Sequence, residues 1–425
     1  MIKKFLLALI CLLKFSTCAA SDELDAAELR LACAICSMGA YSDDESYLMR
    51  SMLNERGWTI EKIAQKNNRA DARAYLVSKG DVKILTVAGT ENIKDVEVDF
   101  RVGRVHLNDN TTLAPYEKNP DDKFFVHRGF RDYADVLLGD GLAERLKTSL
   151  EKNPRETLYL TGHSLGGAVA IVAAIRLTDS GVNKNQLKVI TFGSPAVGSR
   201  VLAKNYDDKL DLTRVEVSGD VIKKSLRALG YVQFGETLKY KQSVTSDHAA
   251  HKMAVYLDCA LRDYVNAGGT FQRETTNKID TPIYVAPVLL VKGELKPADE
   301  KIILDALDDG LKNKFSNLTF DENQSVKFKE KNIQDEAFDE FITAGKSHGC
   351  EYTFIRVLRA KKIRDSQSGD RLATLEGILY NADGILIFMQ TSGMSDNDLT
   401  IFEWVLAIQE NLGDNLSQQL SALKN

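Results

Sequence analysis

The sequence predicts an α/β protein: a mostly parallel sheet covered by helices, followed by a second, smaller α/β domain at the C-terminus. Three features predict it. Apolar runs of strand length at 82–88, 157–161, 189–193 and 212–217 alternate with stretches of helical character, and such continuous apolar strands belong to sheets buried on both faces. Residues Thr157 to Leu177, TLYLTGHSLGGAVAIVAAIRL, read as one buried strand, a glycine-bounded turn and an alanine-rich helix. The polar, glycine-bearing stretch from Val265 to Pro282 then separates a new strand–helix rhythm from the first. The expected organisation is a leader over 1–20, a main domain over 21–268, a linker over 269–281 and an accessory domain over 282–425.

Taken in order, residues 22–52 are expected to be helical, with Leu29, Leu31, Ala32, Ile35 and Met38 on a broad apolar face. ARAYLVS (72–78) and VKILTVA (82–88) are two strands around the turn Lys79-Gly80-Asp81. The polar stretch 108–122, with Pro115 and Pro120, is a loop. A short apolar run at 124–126 leads through HRGF into one amphipathic helix ending near Leu150. The strands VITFG (189–193) and LTRVEV (212–217) and a helix over 247–265 complete the main domain. Beyond Pro282 the pattern predicts a strand (283–291), a helix (297–315), a strand (325–329) and a helix (335–344). Three consecutive strands follow (352–359, 371–380, 384–390), the last two joined as a hairpin, and a closing helix covers 396–411.

Composition narrows the partners. A length of 425 residues accommodates two or more domains, and 44% hydrophobic with 27% charged residues is ordinary globular composition. A formal charge of −5 and the lack of any arginine-rich run exclude a basic surface for nucleic acid. Residues 1–20 have the make-up of an export signal: Lys3 and Lys4, an apolar run from Phe5 to Leu13, then Thr17-Cys18-Ala19-Ala20. That run is too short to span a bilayer, so a secreted or periplasmic chain is expected. The alternative is a lipoprotein anchored through Cys18, which Phe15-Ser16-Thr17 fits poorly. Cleavage leaves Cys33, Cys36, Cys259 and Cys350. The first two lie in an apolar helical stretch rather than after a strand, which argues for buried thiols or one disulfide over a redox pair.

The chemistry concentrates at Gly162-His163-Ser164-Leu165-Gly166. A serine on a sharp strand-to-helix turn has its Oγ lifted above the sheet, and the flanking glycines allow the close approach that such a turn demands. Its hydroxyl is a poor nucleophile until an imidazole takes the proton and a carboxylate orients that imidazole. Asp220 stands just past the strand LTRVEV, on the edge where the sites of such sheets gather, whereas Asp207, Asp208 and Asp211 precede it. The base is His248 or His251, because only these and His348 follow Asp220, and His348 falls in the accessory domain. No cysteine or carboxylate cluster with metal spacing accompanies the two histidines, so neither a metal nor a cofactor is expected. The backbone N–H of Leu165 supplies one oxyanion donor, and Gly89-Thr90, after an early strand, is suited to supply the other.

These blocks, in this order, resemble the class 3 lipase family, the fungal-type triacylglycerol lipases with an α/β-hydrolase-like fold. VKILTVAGT with Asp95 and Asp99, VHRGF (126–130), LYLTGHSLGGAVA, VITFGSPAVGS, RVEVSGDVI and HKMAVYL carry the resemblance, over roughly residues 25–265. It implies Ser164 as nucleophile, Asp220 as acid, His251 as base and Thr90 with Leu165 as oxyanion donors. The step from His251 to Tyr256 favours His251 over His248. The chain departs from the family at Ala88, where an arginine is usual, at Val96, where a tryptophan is usual, and at Val221-Ile222-Lys223-Lys224, where prolines are usual.

The implied function is a serine ester hydrolase acting on lipid or other carboxylic esters, with transient contact to a membrane or micelle surface. The segment 103–123, where the family keeps an apolar lid, is mostly polar here, which points to soluble, micellar or membrane-derived esters, phospholipids included. The rival is a silent α/β scaffold acting as an envelope-binding protein, in which the accessory domain binds an envelope partner.

Overall fold

A computed structural model of the chain describes residues 22–41, 47–67, 70–89, 103–108, 112–113, 124–240, 250–272, 275, 277–291, 297–328, 336–362, 371–395 and 401–424. The leader over 1–20 and Cys18 lie outside them. The chain divides into two compact units, Met1–Asp263 and Tyr264–Asn425.

The first unit opens with helix α1 (22–39) and the short helix α2 (Tyr47–Met52), two pieces where one helix was expected. Strands β1 (Thr59–Lys66), β2 (Asp71–Lys79) and β3 (Val82–Val87) follow. A small three-stranded sheet is made of β4 (Arg104–Val105), β5 (Thr112–Leu113) and β6 (Val126–His127). Next come α3 (Arg128–Leu137) and α4 (Leu142–Lys152), again two helices in place of one expected. Asp140 at φ 45° and Gly141 at φ 82° are left-handed, and a right-handed helix cannot pass through two such residues. The unit continues with β7 (Thr157–His163), α5 (Leu165–Asp179), β8 (Leu187–Phe192), α6 (Arg200–Tyr206), β9 (Asp211–Val217), β10 (Glu236–Tyr240) and most of α7 (Met253–Asn266).

The main sheet runs β1-β2-β3-β7-β8-β9-β10. The five strands from β3 to β10 are parallel, and β1 and β2 add an antiparallel edge. The α/β architecture with a mostly parallel sheet is therefore as expected. On one face Leu85, Val87, Leu158, Leu160, Leu187, Val189 and Leu212 pack in one core with Val169, Ile171, Val172 and Ile175 of α5. Burying each of these large side chains contributes about 1.5–3 kcal/mol. On the other face Ile84, Ile190, Phe192 and Val215 are also buried, and Ser37 of α1 meets Thr161 of β7 through their hydroxyls at 3.2 Å. Parallel strands leave their C-terminal ends at one edge of the sheet, so the residues after β3, β7, β8 and β9 gather there.

The second unit holds β11 (Ile283–Val285), β12 (Val288–Val291), α8 (Pro297–Lys314), β13 (Leu318–Phe320), β14 (Ser325–Phe328), α9 (Glu336–Ser347), β15 (Tyr352–Lys362), β16 (Arg371–Asn381), β17 (Leu386–Ser395) and α10 (Ile401–Lys424). Its sheet has the order β13-β11-β15-β12-β14, extended by β16 and β17 on the other side of β15. The single strand expected over 283–291 is two, both pairing with β15, because Pro287 between them has no N–H for the ladder. The closing helix outruns its expected end at 411, because Ile408, Leu412, Leu416 and Leu420 continue one buried stripe. Residues expected to form a linker are held against this unit: Phe271 is buried, and its N–H donates to Asp309 Oδ2 at 3.0 Å. Cys33, Cys36, Cys259 and Cys350 are all free, buried thiols.

Candidate active site

The turn between β7 and α5 lifts Ser164 out of regular backbone, at φ 54° and ψ −123°. A non-glycine residue with positive φ is strained, and its neighbours hold it there. The Ser164 N–H donates to the Phe192 carbonyl at 2.9 Å, tying the turn to β8. A Cβ on Gly166 would stand 2.3 Å from the Val87 carbonyl, and one on Gly162 would stand 2.5 Å from the Gly166 carbonyl carbon. No larger residue fits at either position while the helix lies this close to the sheet.

Three side chains meet at this edge. Ser164 Oγ lies 2.9 Å from His251 Nε2, and His251 Nδ1 lies 2.8 Å from Asp220 Oδ2. All three residues are buried. His251 is delivered from just before α7, so Ser164, Asp220 and His251, expected together from the sequence, stand together. Leu165 begins α5, where the first N–H groups of a helix have no partner within it. Thr90 and His248, with Asp95 and Asp99, lie outside the described residues, as does most of the stretch 103–123.

The carboxylate is fixed from three sides. Asp220 Oδ2 also accepts the hydroxyl of Tyr256, and Oδ1 accepts the Ile222 N–H at 2.9 Å. Burial pushes the Asp220 carboxyl up, but the hydrogen bonds from His251, Tyr256 and Ile222 outweigh it and hold the group below its ordinary 3.8. Tyr256 goes the other way: burial and the adjacent carboxylate raise its phenol far above the usual range, so it remains a donor. Gly193, past the end of β8, has φ +57°, and a Cβ there would stand 2.8 Å from both Asp220 Oδ2 and the Tyr256 hydroxyl.

A second imidazole stands beside the first. The rings of His163 and His251 have centroids 4.7 Å apart. Burial, aided by His251 and opposed by Asp220, pulls His163 down to about 3. Two imidazolium charges at such a distance would repel by roughly 3–4 kcal/mol at an effective dielectric near 20. Burial and the neighbouring imidazole therefore both favour a neutral His163 ring. Its Nε2 lies 2.7 Å from the His251 carbonyl and its Nδ1 2.5 Å from the Tyr41 hydroxyl. Sequence reasoning passed over His163, Tyr41 and Gly193. Each is an ordinary residue of a helix end, a strand end or a turn until the fold brings it close to His251 or Asp220, and no spacing rule relates residue 41 to residue 251.

A mostly parallel sheet with a strained serine at a strand-to-helix turn, and a carboxylate past a later strand, belongs to the α/β-hydrolase class of fold. Residues 84–227 match the family model described as lipase (class 3), about a third of the chain, so the resemblance carried by the motifs holds over that stretch. Ser164, Leu165 and Asp220 fall inside it; His251 and Tyr256 do not. Among curated proteins, Lipase ZK262.3 of Caenorhabditis elegans is 45% identical over 67 residues, 15% of this chain and 19% of its own length. Secreted mono- and diacylglycerol lipase A of Penicillium cyclopium is 35% identical over 97 residues, 23% of this chain and 31% of its own. The chain thus spans less than a third of the length of these curated relatives. Among solved structures, the Lip2 lipase of Yarrowia lipolytica is similar with a TM-score of 0.40 and 21% identity, covering 49% of this chain and 76% of that one.

Proposed function

We propose that the protein is a serine hydrolase of carboxylic esters, lipid esters in particular. The observation that carries this reading is the unbroken hydrogen-bonded path from Ser164 Oγ through His251 to Asp220, at 2.9 and 2.8 Å. Ser164 Oγ attacks the ester carbonyl carbon as its proton passes to His251 Nε2, and Asp220 holds the imidazole in the required tautomer and balances the imidazolium. The Leu165 N–H, joined by Thr90, receives the oxyanion. The imidazolium then protonates the departing alkoxide, leaving an acyl-enzyme. Water, deprotonated by His251, releases the carboxylic acid and restores the serine.

Lipid esters are favoured because the relatives matched are named as lipases, one a mono- and diacylglycerol lipase. The polar stretch 103–123 favours soluble, micellar or membrane-derived esters, phospholipids among them, with transient contact to a lipid surface. The reading includes export through residues 1–20, a hydrolase domain over 21–268 and an accessory domain over 282–425 joined by 269–281. Hydrolysis of a short-chain chromogenic ester by the wild type and by Ser164→Ala tests it. Activity in the first, lost by a factor of about 10⁴ or more in the second, is the expected result. Absence of activity from both, on short-chain esters and on phospholipid micelles, would leave the scaffold reading in its place.

A further inference from the structure

Behind the candidate triad, His163 bridges a tyrosine from the N-terminal segment to the backbone of the candidate base. The chemistry of its two partners settles its protons. The His251 carbonyl can only accept, so His163 Nε2, 2.7 Å away, carries a hydrogen and donates it. His163 Nδ1, in a neutral ring, has only a lone pair, so the Tyr41 hydroxyl at 2.5 Å donates to it. Tyr41 also packs against Gly89, the residue before Thr90 in the chain: a Cβ on Gly89 would stand 2.6 Å from the Tyr41 hydroxyl and 2.8 Å from the His163 carbonyl.

From this geometry we propose that Tyr41 and His163 are positioning residues: Tyr41 locks His163 in its neutral Nε2–H tautomer, and His163 holds the His251 backbone so that the His251 ring stays aligned on Ser164. The proposal rests on the ester-hydrolase reading above. The groups that face His163 are consistent with a neutral role, since Tyr41, His251 and Tyr256 ring it at centroid separations of 5.8, 4.7 and 5.7 Å and Asp220 acts through the field. Both residues bear on His251 from behind, through its backbone carbonyl, and neither is hydrogen-bonded to Ser164 Oγ. Its effect is on the alignment of a base that must stay within hydrogen-bonding reach, where a shift near 1 Å costs about a hundredfold in rate.

Three variants and one spectrum test it. Tyr41→Phe keeps the ring and removes only the hydroxyl; it is expected to lower kcat about tenfold with KM within about twofold. His163→Leu, which deletes the donor to the His251 carbonyl, is expected to lower kcat more than Tyr41→Phe does. His163→Gln, whose amide nitrogen reaches the same carbonyl, is expected to recover most of that loss, which a merely space-filling role would not predict. Long-range proton–nitrogen NMR on histidine-labelled protein reads the ring directly: His163, assigned through His163→Gln, should remain the Nε2–H tautomer from pH 8 to pH 5 and lose that lock in Tyr41→Phe. Active-site titration with a fluorophosphonate corrects every rate for folded enzyme. Wild-type kcat in both Tyr41→Phe and His163→Leu, or a His163 ring that titrates near 6.5 or carries its proton on Nδ1, would overturn the proposal while leaving the hydrolase reading intact. Unchanged activity in Ser164→Ala would remove both.

Discussion

Asp220 Oδ2 meets His251 Nδ1 at 2.8 Å, across 31 residues of chain, and the same oxygen accepts the hydroxyl of Tyr256. A carboxylate held by both groups, and by the Ile222 N–H on its other oxygen, has little freedom to leave the histidine. Asp220→Asn keeps the shape but offers an N–H where His251 needs an acceptor. It is expected to lower kcat roughly 10³–10⁴-fold on a short-chain ester, with KM little changed. Steady-state kinetics on folded variant check this, and a kcat within tenfold of wild type would show that Asp220 does not orient the base.

Gly193 supports that carboxylate by having no side chain. Gly193→Ala would combine left-handed strain at φ +57° with a methyl carbon 2.8 Å from Asp220 Oδ2 and the Tyr256 hydroxyl. A destabilisation of about 2–4 kcal/mol is expected, with kcat lowered as well because the displaced atoms belong to the site. Urea unfolding and kinetics on the same preparation measure the two effects. Unaltered stability would mean that the turn relaxes.

The low value of His163 makes stability depend on pH. Unfolded, this histidine takes up a proton near 6.5; folded, it does so only near 3. Above pH 6.5 neither state is protonated and the group contributes nothing. As pH falls from 6.5 towards 3 the unfolded state binds the proton first, so stability falls by about 1.4 kcal/mol per pH unit, approaching about 5 kcal/mol in all. Thermal unfolding of wild type and His163→Gln between pH 7 and pH 4.5 isolates it, and the variant should lose less stability on acidification. Parallel pH profiles would contradict the assignment.

Burial also sets the reactivity of the first cysteine pair. It pushes the Cys33 thiol up to about 12 and Cys36 well above its ordinary 9.0. Since the thiolate is the reactive form, neither should react with an alkylating reagent at pH 8 in the native protein, and both should react in guanidinium. Mass spectrometry of peptides labelled before and after denaturation reads the difference.

The parts of the molecule that announced themselves share one property, which is local patterning. The β7–turn–α5 unit was legible because a buried strand, two indispensable glycines and a thin helix are each written in adjacent residues. Ser164 followed from that unit, and Asp220 from its place just past a strand. Edge strands were less legible: Glu236–Tyr240 is buried only at its last residue, so its membership rests on ladder hydrogen bonds to β9 and not on an apolar pattern. Helix breaks at Asp140 and Gly141 and the strand break at Pro287 turn on backbone angles or one absent N–H, which average hydrophobicity does not register.

By itself the order of residues determined the fold class, the turn that presents the serine, and a short set of partners for it, because these depend on neighbours in the chain. Tertiary structure alone decided that Gly193 must be bare and that Tyr41 and His163 stand behind His251. Those are contacts between residues tens to hundreds of positions apart, and they come into being only when parallel strands bring their ends to a single edge.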